Sequence, residues 1–249
     1  PAFENVGAFG VSAREAGELC AGTGWLLEAT YATLHGNLRE ANCRAALMND
    51  ATGLYVAAGG YFMTARINNT EDGPRRPSVY TGTALGFSVT SGRASYALGM
   101  TGPCLSLDTA CSSSLVAFHV GAAALRADEC PRAGVSGVCR LNAYTSRAFS
   151  SAGMLSDRGR CHTFDLRADG YCRGEGVGAF VLEDDAGSVA SRGTSVQQDG
   201  ASASLTAPNG SSQRRLIASI DAPRTCLEAH GTGTALGDPI EVGAASGAV

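Results

Sequence analysis

The chain has 249 residues, 44% apolar and 17% charged, which is enough for a sizeable core and argues against disorder. A net charge of −4 with no block of like charge offers no nucleic-acid surface, and no apolar run reaches membrane-span length. All 19 basic residues are Arg, so Schiff-base and P-loop lysine chemistry are excluded within these residues.

The chain opens on Pro1 with no signal peptide, and the expectation is a piece of something longer. Strand-like and helix-like segments alternate, which predicts an α/β architecture. Apolar spacing predicts a helix over 24–34, a buried strand over 53–58 (GLYVAA) and a short helix over 84–98. A short strand is expected at 103–110, then a helix at 112–126 that is apolar nearly all round and so expected to be buried centrally. Further strands are expected at 134–142 and 176–183, an extended stretch at 194–198, a helix near 211–220, a strand at 225–229 and a helix start near Asp238-Pro239. An acidic residue and Pro in a first turn suit the macrodipole and the missing donor.

Nine cysteines stand at 20, 43, 104, 111, 130, 139, 161, 172 and 226. There is no C-x-x-C pair, and an odd, scattered set makes a poor disulfide framework, so a cytoplasmic or other reducing compartment is expected. A single Cys is ordinarily a small buried hydrophobe. Cys111 escapes that reading. It lies in DTACSSSL (108–115), where a strand runs into the thiol and a helix begins at once. Helix N-termini favour a thiolate, and their outward N–H groups hold an oxyanion once sulfur has attacked a carbonyl. The second feature is EAHGTGTALGDPIEV (228–242). It delivers His230 into a loop whose glycines leave room for a ligand and whose Thr232 and Thr234 hydroxyls can bond one. A Cys and a His, each followed by small residues, form a nucleophile-plus-imidazole arrangement.

These two stretches resemble the nucleophile and first-histidine signatures of β-ketoacyl synthases, specifically those of modular polyketide synthases. GVSAREA (10–16), VYTGTA (79–84), GMTGPCLSLDTACSSSL (99–115), AGMLSDRGRCHTFD (152–165), ADGYCRGEGVGAFVLE (168–183) and SLTAPNGSSQ (204–213) extend the resemblance over nearly the whole chain. It implies a thiolase-like α/β fold of layered helices and sheets (αβαβα), with the first half nearly complete and the second cut short. Residues 1–184 would be the N-terminal, nucleophile-bearing half and 185–249 the start of the C-terminal half. It implies acyl transfer from a phosphopantetheine thioester to Cys111, then decarboxylative condensation with a malonyl-type extender to a 3-oxoacyl thioester. His230 would be one of two histidines that stabilise the enolate, Thr232 and Thr234 would bind the pantetheine arm, and the Cys111 N–H would be one of two oxyanion donors. No bound cofactor or metal is implied. The implied partners are an acyl carrier protein, other polyketide synthase domains and, in a complete domain, a second copy.

The other polar residues read as structural: His119 as a core residue, Glu175 as packed among glycines, Asp108 as a turn anchor, and Asp165 and Asp169 as loop organisers. His35 and His162 carry no assigned role. The family's Lys-Ser-Asn-x-Gly-His stretch, with its second His, and its late Gly/Phe loop are absent from these 249 residues. The expectation is therefore that the chain as given does not complete condensation. LCAGTG (19–24) stands where the family carries Asp-Pro-Gln-Gln-Arg, and the chain is short between Leu182 and Thr194 and between Ile217 and Cys226. Two alternatives remain at this point: a non-catalytic remnant or chain-length-factor-like partner, against which the intact Cys111 speaks, and a degradative thiolase, which the EAHGTGT signature fits less well.

Overall fold

The computed structural model describes residues 6–37, 43–59, 78–184, 189–220 and 226–248. In chain order its elements are α1 (Ala13–Ala16), α2 (Ala21–Asn37), α3 (Cys43–Leu47), β1 (Gly53–Ala58), α4 (Thr81–Leu85), α5 (Val89–Leu98), β2 (Cys104–Leu107), α6 (Ser113–Arg126), β3 (Arg132–Cys139), α7 (Ala143–Ser151), β4 (Gly176–Glu183), α8 (Gly210–Ala218) and α9 (Gly237–Gly247). The residues group into two compact units, 1–144 with 174–188, and 145–173 with 189–249.

The first unit is organised by β1. Its six residues are all buried, as an unbroken apolar run with small residues predicts for a strand covered on both faces. It lies between β2 and β3, parallel to both, and β4 closes the order β2-β1-β3-β4 antiparallel to β3. Alternation along β1 divides the core in two. Leu54, Val56 and Ala58 face Leu26, Leu27 and Leu34 of α2 and Ala94, Ala97 and Leu98 of α5, while Tyr55 and Ala57 face Ala117 and Ala124 of α6. Burying each large aliphatic side chain contributes about 1.5–3 kcal/mol. Two pairs of hydroxyls bond where helix meets strand, while the buried Thr23, Tyr55, Thr90 and Ser95 hydroxyls have no hydrogen-bond partner among the described residues. The Thr30 and Ser136 hydroxyls lie 2.7 Å apart, and Ser106 Oγ donates to Ser91 Oγ at 2.9 Å. Burial, and then the Cys130 thiol beside it, pushes the Tyr55 phenol above its ordinary value.

The helix expected at 84–98 is two helices, because Gly86 adopts an extended conformation that ends α4. The strand expected at 103–110 stops at Leu107, where the Asp108 turn begins, and that expected at 134–142 runs instead over Arg132–Cys139. The helix at 112–126 forms as α6 but is not buried all round. Ser113, Ala117, Gly121 and Ala124 make one covered stripe, and Leu115 is 76% exposed. Gly121 is what lets that stripe approach the sheet, since a Cβ there would sit 3.2 Å from Tyr55 and Val135. Thr81–Leu85 and α2 extend beyond the apolar periodicity that signalled them.

The second unit carries α8 and α9 and long extended segments. Neither 194–198 nor 226–229 is a strand; residue 225 lies outside the described residues. An extended stretch becomes a strand only when a neighbour supplies its ladder, and among the described residues of this unit none does. The helix expected at 211–220 forms as α8. Its N-cap is Asn209, whose Oδ1 accepts from Ser211 N–H at 3.1 Å and Ser212 N–H at 3.2 Å. The shortened stretches 182–194 and 217–226 include residues 185–188 and 221–225, which lie outside the described residues.

Asp50 pins the first unit where its central strands begin. Oδ1 accepts the Thr52 N–H at 2.8 Å and the Thr52 hydroxyl, and Oδ2 accepts from Arg132 Nη2 at 2.7 Å. Burial pushes this carboxyl up, but the bonds from Thr52 and Arg132 outweigh it and hold it below its ordinary 3.8. A carboxyl with a lowered folded pKa stabilises the fold above its unfolded value, and that contribution drains away as pH falls through the folded value. Urea unfolding should therefore show Asp50→Ala destabilised by about 1–3 kcal/mol at neutral pH. The gap between the variant and the native chain should narrow below pH 3.8, the ordinary value for this carboxyl.

Candidate active site

Cys111 lies in the first unit. β2 ends at Leu107, a single 3-10 turn over Ala110–Ser112 carries Cys111, and α6 begins at Ser113. Hydroxyls and one carboxylate close the turn. Asp108 Oδ1 accepts the Ala110 N–H at 3.0 Å, so Asp108 is the turn anchor its position predicts. The buried Ser113 hydroxyl accepts the Thr109 N–H at 2.8 Å and donates to the Ala110 carbonyl at 2.7 Å. Ser112 Oγ donates to Thr109 O at 2.9 Å. Ala110, the residue before Cys111, has φ 56°, a left-handed conformation that costs a residue with a Cβ roughly 1–2 kcal/mol. The Ser113 and Asp108 bonds hold it there, and Cys111 emerges exposed at the apex. Exposure alone does not single it out, because Cys104, Cys139, Cys161, Cys172 and Cys226 are exposed too. What separates Cys111 is its place on this strand–turn–helix junction.

His230, Thr232 and Thr234 share one loop of the second unit. Gly231 and Gly233 have φ of 54° and 71°, so the loop alternates left-handed glycines with His230, Thr232 and Thr234. A Cβ at Gly231 would meet Thr163 Cγ2 at 2.7 Å, and one at Gly233 would meet His162 N at 2.8 Å. The Thr232 and Thr234 hydroxyls lie 3.2 Å apart, and Thr234 Oγ1 accepts the Gly237 N–H at 3.0 Å. His230 is exposed and Thr232 and Thr234 are half-buried, which leaves an imidazole and two hydroxyls on one glycine-lined edge.

Two carboxylates build this loop: Glu241, which had no role assigned from the sequence, and Asp238, marked there only as a helix start. Glu241 accepts the His230 N–H at 2.6 Å on Oε1 and the Gly231 N–H at 2.8 Å on Oε2. Asp238 is 4% exposed; its Oδ1 accepts from Gly233 N at 3.0 Å and Thr234 N at 3.4 Å, and its Oδ2 from Phe164 N at 2.7 Å. Both come from the first turns of α9. The sequence signal was present in GDPIE: acidic residues at a helix start, three apart and thus on one face.

The segment 161–172 is the loop's other wall. Thr163 Oγ1 donates to Gly231 O at 2.5 Å, and Gly170 N donates to Gly233 O at 3.0 Å. Within it, Asp169 accepts from Ser156 Oγ at 2.6 Å. The bonds from Arg167, side chain first, hold the exposed Asp165 carboxyl well below the usual carboxylate range. Both act as loop organisers. His162, to which no role was assigned, contributes its backbone as the surface under Gly233. In the first unit, Glu175 accepts the Leu141 N–H at 2.8 Å, and His119 is half-buried on α6. Among the described residues no group of His, Cys, Asp and Glu is arranged to hold a metal, and no helix is long and apolar enough to cross a membrane.

The β-ketoacyl synthase N-terminal domain family matches residues 4–187, and the β-ketoacyl synthase C-terminal domain family matches 189–249. The chain belongs to the β-ketoacyl synthase family. Similar relatives of this ketosynthase-family chain include polyketide synthase GfsB of Streptomyces halstedii, 41% identical over 94% of this chain and 4% of the relative. Erythronolide synthase EryA2 of Saccharopolyspora erythraea is 41% identical over 96% of this chain and 7% of the relative. Among solved structures, a ketosynthase from module 6 of the bacillaene synthase of Bacillus subtilis 168 superposes with TM-score 0.79 at 30% identity, covering 97% of this chain and 42% of that one. An oxazolomycin ketosynthase domain from Streptomyces albus JA3453 gives TM-score 0.78 at 30% identity, covering 97% and 45%. The ketosynthase-family chain thus has the thiolase-like α/β fold and spans under half the length of these solved domains.

The carboxylate clamp gives a direct test. Asp238→Ala leaves three N–H groups without their acceptor, so it should destabilise by about 1.5–3 kcal/mol and accelerate amide exchange at Gly233 and Phe164. Glu241→Gln, which keeps an acceptor, should affect His230 and Gly231 exchange less than Glu241→Ala.

Proposed function

We propose that this chain is the part of a polyketide-type ketosynthase that holds the acyl-accepting cysteine and the first catalytic histidine. The Cys111 thiolate attacks the carbonyl of an acyl-phosphopantetheine thioester, the oxyanion collects on helix-terminal N–H groups including that of Cys111, and the pantetheine thiol leaves. The malonyl-type extender then loses CO₂, its electron pair forms an enolate held by His230 and a second imidazole, and the enolate carbon attacks the Cys111 thioester. The 3-oxoacyl product leaves on the carrier and the Cys111 thiol is freed. Thr232 and Thr234 hold the pantetheine arm. Substrates arrive on an acyl carrier protein; we infer no bound cofactor, a reducing compartment, association with other polyketide synthase domains and a homodimer of the complete domain. The halves would divide as 1–184 and 185–249.

The observation that carries this reading is the exposed thiol on a strand-to-helix turn whose preceding residue is held left-handed by Ser113 and Asp108. A merely structural cysteine has no need of that turn. It also favours an enzyme over a chain-length-factor-like partner, which has no use for the nucleophile.

Limiting iodoacetamide at neutral pH, mapped by mass spectrometry, should alkylate Cys111 ahead of the other cysteines. Faster labelling of Cys104 or Cys226 would count against the nucleophile assignment.

The second measurement separates loading from condensation. The 249 residues hold no Lys and no second family histidine. Losing one oxyanion donor costs about 10²–10³ in rate, so loading survives weakly, whereas groups that act as a unit do not retain activity in proportion. Incubated with an acyl-pantetheine thioester and a malonyl thioester, the chain should acylate slowly on Cys111. CO₂ and 3-oxoacyl product should not exceed a Cys111→Ala control. Clear condensation would require a substitute for the second imidazole within the chain.

A further inference from the structure

Outside the ketosynthase machinery, the Cys161 thiol lies against the backbone of Cys172 across the neck of the segment that walls the His230 loop. Cys161 Sγ accepts the Cys172 N–H at 3.1 Å and donates back to Cys172 O at 3.8 Å. Adding an N–Cα bond of about 1.46 Å puts the Cys161 sulfur no further than about 4.6 Å from Cys172 Cα. The Cys172 thiol is turned away onto the Arg173 carbonyl at 3.7 Å. Closure to a disulfide requires its rotation about the Cα–Cβ bond toward Cys161. Both residues are exposed and both are free thiols. Among the described cysteines no other pair is in direct contact with each other's backbone in this way.

We propose that Cys161 and Cys172 form an oxidisable dithiol, reduced in this structure and closed to an intrachain disulfide by a peroxide. One thiolate attacks the peroxide O–O bond, giving a sulfenic acid and, after protonation, one water from hydrogen peroxide. The second thiol attacks that sulfur, the S–S bond forms, and the hydroxyl leaves as a second water. Two thiols are oxidised by two electrons, and one peroxide is reduced to two waters. The segment so closed contains Thr163, Phe164 and Gly170, which bond Gly231 O, Asp238 and Gly233 O. The disulfide fastens the wall against which the His230–Thr234 loop is built.

The test treats the folded 249-residue chain with limiting hydrogen peroxide at neutral pH, blocks free thiols with N-ethylmaleimide, and digests with trypsin without reductant. Cleavage after Arg160, Arg167 and Arg173 places the two cysteines on separate peptides, 161–167 and 168–173. These should appear joined, vanish on dithiothreitol treatment, and be lost in Cys161→Ser and in Cys172→Ser. Cys111→Ser should keep the cross-link. In urea the same oxidant should scatter cross-links among the cysteines. Oxidised native chain should also show greater amide protection at Gly231 and Gly233 than reduced chain. The proposal is overturned if peroxide leaves Cys161 and Cys172 alkylated while other cysteines oxidise. It is equally overturned if Cys161 pairs with a different cysteine, or if the cross-link joins two chains.

Discussion

Everything in the first unit is hung on a strand that has no solvent face. β1 is buried on both sides and hydrogen-bonded on both edges, so its residues cannot shift register without driving Tyr55 into the α2–α5 layer and Leu54 into the α6 layer. That constraint sets where β2 must run beside it, hence where β2 stops, and hence the point at which Cys111 is presented. The Asp50 bonds to Thr52 and Arg132 act at the other end of these parallel strands, tying the start of β1 to the start of β3. The position of Cys111 is a consequence of packing some distance away from it.

The His230 loop is built on a different principle. Two glycines in left-handed conformations give it its curvature but no stability of their own. The stability is lent by Asp238 and Glu241, whose four oxygens take up five backbone N–H groups between them, and by Thr163 and Gly170 on the facing segment. Anions at the first turns of α9 are favoured by the helix dipole as well as by these bonds. A residue placed in this way is held through its backbone N–H.

Much of this was legible in the residues. GLYVAA reads as a doubly buried strand and is one, end for end. GVGAFVLE reads as a strand and forms β4 over the same eight residues. The motifs around Cys111 and His230 pointed to the family that the comparisons identify. The misses share a cause: they concern what lies across from a segment, which periodicity does not report. TSVQQ and TCLEA have strand composition, yet no partner among the described residues meets them. SSSLVAFHVGAAALR is apolar on every side, yet only its sheet-facing stripe is covered. Asp238 was noticed as a helix-start residue, but its three acceptor contacts come from residues 4, 5 and 74 positions away, and the last of these no local rule supplies.

The serine run after Cys111 looks redundant when written out, three identical letters in a row, and the structure assigns each a separate tolerance. Ser113 needs a group that both accepts and donates, because its oxygen serves Thr109 N–H and Ala110 O at once; a threonine could supply that and an alanine could not. Ser112 is constrained only by what it donates to Thr109. Ser114 is limited by size, since its oxygen already occupies the space where a Cβ at Gly137 would fall 2.5 Å away. Drift at these three positions is therefore filtered by three unrelated rules, and Gly137, on a different strand, is bound into the third of them.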